Sequence, residues 1–277
     1  MAVIVSKHTR TFLLILCLLC GCSFDSTFFP VDERPDDKNS ANHEEVLLTS
    51  ADGHKIHHLL IKPQSSPRAT ILVFHGSGSK ISNWRKLLTP LVEDGYQLFL
   101  MEYRGFGVSE GVASHEAVAL DASRAFRYLS NREDVRGRPI LVLGQSYGAQ
   151  LAINVAARYP DMIAVLITEG AFTSFRDIAV YSTPSIGKPF TWAFFRNPYS
   201  SAELINEAPR PNLIIHSQDD DVVPLRMGEE LYHRAGSPKE FWKIRGQHAD
   251  ALVDHPHEFV SRVNRMTELV VSAQDRL

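Results

Sequence analysis

One serine of the chain stands in a pattern that is typical of a catalytic nucleophile. The pattern G-x-S-x-G spans residues 144–148, with Ser146 at its centre, and it lies between a buried-strand pattern and a helical pattern. A sharp turn there would lift the serine hydroxyl clear of a sheet, while the two glycines let strand and helix approach each other. The helix N-terminus, starting with the Tyr147 N–H, would stabilise an oxyanion. We therefore expect Ser146 to attack an acyl carbon.

A serine nucleophile needs a general base and an acid to orient it. Around a G-x-S-x-G turn of this kind, the acid and then the histidine follow the serine along the chain. His248 follows the last predicted strand on a glycine-containing loop, and we predict it as the base. His255 and His257 flank Pro256 at a helix start, where capping or surface roles explain them better. Four carboxylates are candidates for the acid: Asp219, Asp220, Asp221 and Glu169.

The order of these motifs resembles the α/β-hydrolase superfamily. Many members read H-G-x-x-D-x-x-V-P after the strand that carries the acid, and residues 216–224 of this chain read HSQDDDVVP. Alignment on the V-P pair implies Asp220 as the acid. Asp219 and Asp221 are alternatives if the alignment shifts by one residue, and Ser217 departs from the glycine that the family often has. We interpret Glu169 as a strand-end residue that orders a cap.

The resemblance covers roughly residues 44–273 and includes two further motifs. The family's H-G-x motif matches residues 75–77, which implies that Ser77 supplies the second oxyanion N–H and that His75 supports the loop. The segment 103–109, YRGFGVS, resembles a structural loop of the family. The chain looks nearest to the branch with minimal caps, which includes acyl-thioesterases and peptidase-like proteins. The resemblance therefore implies hydrolysis through an acyl-enzyme, with Asp220 holding His248 in the required tautomer.

Alternating strand and helix patterns predict the elements that must position these residues. A hairpin turn at Asp52-Gly53 is flanked by predicted strands, and the remaining strands are short apolar runs. The predicted strands are 45–49, 55–61, 70–74, 97–101, 140–143, 163–168, 213–216 and 241–244. The predicted helices are 83–93, 114–130, 147–158, 225–235 and one that begins at Pro256. This order predicts an α/β fold, a mostly parallel sheet with helices on both faces, and a small cap at about 173–209.

The N-terminal residues predict export and membrane attachment. A basic start precedes an apolar run from Phe12 to Leu19, which is shorter than the ~20 residues of a spanning helix, so we predict a signal peptide at 1–21. Residues 19–22 resemble the bacterial lipobox, which implies that Cys22 is lipidated; an uncleaved anchor is the alternative. Ser23 resembles outer-membrane sorting, so we expect a protein of the bacterial cell envelope, lipid-anchored to the outer membrane and facing the periplasm. Residues 22–42 are polar and contain prolines, which predicts a flexible linker before a domain at 43–277.

Composition excludes several classes of protein. The chain has 277 residues, 22% of them charged, with a formal net charge of -3, so it lacks the basic excess of a nucleic-acid binder. All three cysteines lie within residues 17–22, which leaves none for disulfides in the domain. No HExxH or clustered ligand spacing suggests a metal, and we predict no cofactor. The glycines near Ser77 imitate a dinucleotide fingerprint, but Ile81 occupies its third glycine position.

The segment predicted as the cap is rich in aromatic residues. Between residues 172 and 199 lie eight of the chain's 15 Phe, 8 Tyr and 3 Trp residues. Such rings either pack the cap onto the domain or line an apolar acyl pocket. We predict an ester or thioester hydrolase for short-to-medium apolar acyl groups. The alternatives are a peptidase or amidase of the same fold and a catalytically idle lipoprotein that only binds.

Overall fold

The eight predicted strands are present and form a single sheet. The computed structural model describes residues 43–79, 81–195 and 197–274; the predicted signal peptide, the linker and Cys22 lie outside the described residues. The strands are β1 His43–Thr49, β2 Lys55–Ile61, β3 Ala69–Phe74, β4 Tyr96–Met101, β5 Ile140–Gln145, β6 Val165–Glu169, β7 Asn212–Ser217 and β8 Lys239–Ile244.

The sheet is antiparallel at one edge and parallel elsewhere. Its order is β1-β2-β4-β3-β5-β6-β7-β8. The predicted hairpin joins β1 to β2, and β2 pairs antiparallel with β4. From β4 to β8 all neighbours are parallel, so the carboxyl ends of six strands share one edge of the sheet. Side chains that follow those ends can therefore meet, as is usual at ligand sites of open α/β sheets.

Helices cover both faces of the sheet, which confirms the predicted α/β fold. Because side chains alternate along a strand, β3 sends Leu72 and Phe74 into one core and Ile71 and Val73 into the other. The helices are α1 Ile81–Leu87, α2 Thr89–Glu93, α3 His115–Ser130, α4 Tyr147–Arg158, α5 Phe175–Ser182, α6 Lys188–Phe194, α7 Ser201–Leu204, α8 Leu225–Arg234, α9 Ala251–Asp254 and α10 Pro256–Gln274. The first core packs under α3, α4 and α8, and the second under α1, α2 and α10.

One predicted helix is divided in the structure. The pattern at 83–93 predicts a single helix, whereas α1 ends at Leu87 and α2 starts at Thr89. Pro90 lies in the first turn of α2. A proline has no N–H for the ladder of a preceding helix and is favoured in the first turn of a new one, which explains the break.

The segment predicted as the cap is helical and returns to its starting point. It contains α5, α6, α7 and the 3₁₀ turns Ser185–Gly187 and Ile205–Glu207. Ser174 and Ser200 form an isolated antiparallel bridge, which closes the segment at its base. Ser174 also caps α5, because its Oγ accepts the Asp177 N–H at 3.0 Å. The cap therefore stands on the carboxyl edge of the sheet, directly after β6.

Candidate active site

Ser146 lies at a strained turn between β5 and α4. Its backbone has φ 53° and ψ −116°, a conformation that L-residues rarely adopt. The two motif glycines are required by close contacts: a Cβ on Gly144 would lie 2.3 Å from the Gly148 carbonyl oxygen, and one on Gly148 would lie 2.1 Å from the Phe74 carbonyl oxygen. The Ser146 N–H donates to the Glu169 carbonyl at 2.8 Å, which ties the turn to β6.

Three side chains that are far apart in the sequence form one hydrogen-bonded chain. The Ser146 Oγ lies 2.8 Å from the His248 Nε2, and the His248 Nδ1 lies 2.6 Å from the Asp220 Oδ2. These residues follow β5, β8 and β7 respectively, so the parallel register brings them to the same edge. In this arrangement the serine can give its proton to the imidazole, while the carboxylate fixes the imidazole tautomer and stabilises its charge.

The Asp220 carboxylate is buried and held from two sides. Burial acts to raise its pKa, but the His248 hydrogen bond and the N–H groups of Val223 and Val222, at 2.7 and 2.9 Å, outweigh burial and lower the pKa below its ordinary value. The carboxylate is therefore ionised at neutral pH. Its neighbours are exposed: Asp219 pairs with Arg245 at 3.3 Å.

A second histidine beside Asp220 was not identified as part of the site from the sequence. The His216 ring is fully buried, and its Nε2–H donates to the Val223 carbonyl at 2.9 Å, 3.5 Å from the Asp220 Oδ2. Burial lowers the pKa of His216, which keeps the ring neutral. His216 thus braces the turn that carries Asp220. Within the described part of the chain, neither His255 nor His257 contacts this triad.

Comparisons with known proteins identify the family to which the chain belongs. A family model described as serine aminopeptidase, S33, matches residues 65–199. The uncharacterized protein YfhR of Salmonella typhimurium is 30% identical over 273 residues, covering 89% of this chain and 91% of YfhR. The α/β hydrolase domain-containing protein WAV2 of Arabidopsis thaliana is 30% identical over 207 residues, covering 70% of this chain and 67% of WAV2. The chain belongs to the α/β-hydrolase superfamily.

Solved structures agree on the fold. The esterase Pf2001 of Pyrococcus furiosus superposes with a TM-score of 0.69, covering 87% of this chain and 99% of the esterase at 20% sequence identity. The match supports the sheet order and the positions of the helices. The family, shown by the WAV2 relative and supported by the model match over residues 65–199, identifies the chain as a hydrolase.

A buried network of the hydrolase holds the loop that carries His248. The Glu169 Oε1 accepts the Ala251 N–H at 2.6 Å, and its Oε2 accepts the Gln145 Nε2–H at 3.2 Å. The Gln145 Nε2 also donates to the Ala249 carbonyl at 2.6 Å. Glu169 therefore orders the histidine loop, and not the cap as its position in the sequence predicts. Because the histidine loop lies 82 residues from Glu169 and 104 from Gln145, no local signal could have found these contacts.

Glu169 carries an unusual protonation equilibrium. Burial raises the pKa of Glu169 to about 7, and the hydrogen bonds from Ala251 and Gln145 offset only part of that effect. His248 lowers this pKa slightly and Asp250 raises it. Near neutral pH the carboxyl is therefore close to the midpoint of its titration, next to the loop that carries His248.

The predicted oxyanion loop lies beside the serine. A Cβ on Gly76 would lie 3.7 Å from the Ser146 Cβ, so the loop after β3 passes next to the nucleophile, and Ser77 follows on its exposed side. Tyr147 begins α4. The His75 Nε2 and the Glu102 carboxylate form a buried pair at 2.8 Å, while the His75 Nδ1–H donates to the Gly76 carbonyl at 2.8 Å. His75 therefore supports the loop, in line with the sequence prediction.

The structure divides the aromatic residues of the cap into two sets. One set is buried or half-buried and packs on the domain: Phe172, Phe175, Phe195 and Tyr199. Phe175 lies at its centre, with ring centroids 5.2 Å from Tyr199 and 6.0 Å from Tyr147, beside the nucleophile. The other set is exposed: Tyr181, Phe190, Trp192 and Phe194. Packing therefore accounts for only half of the rings.

The described residues contain neither a cluster of metal ligands nor a helix that could span a membrane. Within residues 43–79, 81–195 and 197–274, no group of three or more His, Cys, Asp and Glu side chains could hold a metal ion. None of the helices in these ranges is long and apolar enough to cross a bilayer.

Proposed function

We propose that this hydrolase cleaves acyl esters or thioesters with Ser146 as nucleophile, His248 as base and Asp220 as acid. The observation that carries the proposal is the hydrogen-bonded chain from the Ser146 Oγ through both His248 nitrogens to Asp220, at 2.8 and 2.6 Å. Nucleophile, base and orienting carboxylate within hydrogen-bond reach are the requirements for acyl transfer.

The reaction follows from this geometry. His248 Nε2 accepts the serine proton as Oγ bonds to the acyl carbon, and the oxyanion is stabilised by the N–H groups of Tyr147 and Ser77. The imidazolium then protonates the leaving alcohol or thiol, which departs and leaves an acyl-serine. Water, deprotonated by the same nitrogen, attacks the acyl-serine; the bond between the acyl carbon and Oγ then breaks, the imidazolium returns the proton to Oγ, and the acid is released.

A serine-directed fluorophosphonate tests the proposal directly. We expect stoichiometric labelling of the wild-type chain on Ser146 and loss of labelling in Ser146→Ala, because only an activated hydroxyl attacks the phosphorus. His248→Ala should slow labelling by several orders of magnitude without unfolding the chain. A folded wild-type chain that stays unlabelled would instead support the binding-only alternative.

A peptidase or amidase is the second candidate function. It is favoured by one observation, the match of residues 65–199 to a model described as serine aminopeptidase. The same triad serves both reactions, so the leaving group decides between them. Rates on paired esters and amides of the same acyl group separate the two proposals: a higher kcat/KM on the amide would favour the peptidase.

The proposed location is the bacterial cell envelope. The lipobox resemblance at residues 19–22 supports lipidation of Cys22, which would hold the domain at the outer membrane on its periplasmic side. Mass spectrometry of the purified N-terminus tests this: an acylated Cys22 is expected, and an unmodified N-terminus at Met1 or Ala2 would overturn it.

A further inference from the structure

Exposed apolar side chains of the described residues are concentrated at one end of the molecule. Val108 and Val112 follow β4, Val222 follows β7, and Val253 follows β8; all four side chains are exposed. Each lies in a segment that leaves the carboxyl edge of the sheet, the edge that carries Ser146. The cap, which follows β6, adds five more side chains to the same end. Nine of the fourteen large apolar side chains that are exposed among the described residues therefore lie at the end that carries Ser146.

The five cap residues form what we call the cap patch. Ile186 is 97% exposed, Phe194 69% and Trp192 62%. Tyr181 and Phe190 complete the patch. The α6 helix buries only Thr191 and presents its rings outward, with the Phe190 and Phe194 centroids 4.4 Å apart. Removing apolar area from water is favourable by roughly 25 cal/mol per Å², so a partner that covered the patch would be stabilised by it.

The chemistry of the cap patch fits a lipid surface. From Tyr181 to Phe195 the chain carries no acidic residue and one basic residue, Lys188. The Arg176 guanidinium lies 5.8 Å from the centre of the Trp192 ring, so a second cation lies next to the patch. Aromatic rings beside cationic groups are typical of protein surfaces that rest at the boundary between lipid headgroups and acyl chains, with anionic headgroups near the cations.

We propose that the cap patch docks on the surface of a lipid bilayer. In that orientation the Ser146 edge faces the membrane, so an acyl ester held in the bilayer would reach the nucleophile without crossing water. This last clause rests on the proposed function, whereas the docking itself does not.

The proposed lipid anchor is compatible with this orientation. Twenty residues lie between Cys22 and the described domain, and 20 residues span at most about 70 Å when extended. His43 starts β1 at the amino edge of the parallel strands, opposite the cap, and a strand of six residues is only about 20 Å long. The segment is therefore long enough for both the anchor and the cap patch to contact one membrane.

Trp192 offers a direct probe of docking. The chain has three tryptophans; Trp84 and Trp242 are 3% and 6% exposed, so Trp192 alone reports from the surface. The experiment uses the full-length chain carrying Ser146→Ala, which prevents lipid hydrolysis, with vesicles of phosphatidylcholine and phosphatidylglycerol. We expect a blue shift of the emission, quenching by brominated phosphatidylcholine, and loss of both changes in Trp192→Phe.

Matched variants separate the cap patch from general hydrophobicity and from the anchor. A triple variant that keeps Trp192 combines Ile186→Ser, Phe190→Ser and Phe194→Ser, and it should abolish the quenching by brominated phosphatidylcholine. The control variant, Leu120→Ser with Met162→Ser, removes exposed apolar groups elsewhere and should leave the quenching unchanged. Because quenching reports on Trp192 itself, a chain that is held only by its N-terminus gives no signal.

Two results would overturn the docking. One is a Trp192 that iodide quenches equally with and without vesicles. The other is a blue shift of the Trp192 emission that depends on protein concentration in the absence of vesicles. That result would show that a second copy of the chain, and not a bilayer, covers the cap patch. Neither result depends on activity, so a failure of docking is distinguishable from a failure of the proposed hydrolysis.

Discussion

The three consecutive aspartates after β7 differ in their surroundings, although they are identical in chemistry. Asp220 is buried and receives the His248 hydrogen bond, while Asp219 and Asp221 face solvent. A backbone turn can direct only one of the three side chains inward. The exposed Asp219–Arg245 pair is expected to contribute little to stability.

We predict that Asp220→Asn lowers kcat by about 10⁴-fold, because the amide cannot hold His248 in the required tautomer. Asp219→Asn and Asp221→Asn are the matched controls and should remain within a few-fold of the wild type. Ester hydrolysis by the three variants checks this. If Asp219→Asn were the most damaging, the assignment of the acid would be wrong by one residue.

Glu169 makes stability depend on pH. Its folded-state pKa is about 7, above the 4.5 of an ordinary glutamate. Between these two pH values the folded chain therefore keeps a proton on Glu169 that the unfolded chain has lost. The free energy of unfolding should therefore fall as pH rises from about 4.5 to 7, by up to about 3 kcal/mol. Glu169→Gln cannot ionise and should lack this fall.

Urea unfolding at several pH values checks the prediction. The difference in stability between the wild type and Glu169→Gln should shift in favour of the wild type as pH is lowered. Glu45→Gln, at an exposed position, is the control. Parallel profiles for the wild type and Glu169→Gln would show that this carboxyl titrates in both states alike.

At the scale of elements, the turn between β5 and α4 requires the backbone of α4 to lie directly against the backbones of β5 and β3. A Cβ on Gly148 would lie 2.1 Å from the Phe74 carbonyl oxygen, which belongs to a rigid central strand. We predict that Gly148→Ala destabilises the chain by about 1–3 kcal/mol or more, since α4 must move away from β3. Gly53→Ala is a control that adds a Cβ without a clash: nothing lies within 4 Å of its Cβ position, so its cost comes only from the backbone strain of a side chain at φ 92°.

Thermal unfolding measures the loss of stability in Gly148→Ala, and fluorophosphonate labelling measures the reactivity of Ser146 in the same variant. A displaced α4 would also move the Tyr147 N–H, so labelling of Gly148→Ala should slow more than the loss of stability explains. Equal labelling rates for the two glycine variants would argue against this link between helix position and reactivity.

At the scale of the whole molecule, we expect the space between the cap and the sheet edge to determine which acyl group the substrate carries. The buried rings around Phe175 pack the cap onto the turn that carries Ser146, so we expect a modest cleft there and not a deep tunnel. We predict that kcat/KM rises with acyl length by up to ~0.8 kcal/mol per methylene until the cleft is filled.

A series of p-nitrophenyl esters from acetate to palmitate checks this prediction. Ester and thioester substrates should both be cleaved, with a maximum at short-to-medium chains. A flat profile, or a clear preference for aminoacyl amides, would mean that the cap rings serve packing alone.

The sequence by itself determined the α/β fold and where the elements lie, because those follow from local periodicity and from turn residues such as Asp52-Gly53. It also placed Ser146, since the elbow needs glycines at fixed spacing within five residues. The prediction of one continuous helix over 83–93 was wrong at Leu88, because the proline in the next turn starts a new helix.

Only the tertiary structure decided that Glu169 contacts the loop of His248 and which aromatic rings of the cap are buried. Glu169 and Ala251 come together because β6 and β8 are parallel and end at the same edge, a relation that no local pattern encodes. Likewise, Phe175 and Trp192 are both apolar ring residues of the same cap. One is buried and the other exposed because packing geometry, not residue type, determines which face of a helix meets the core.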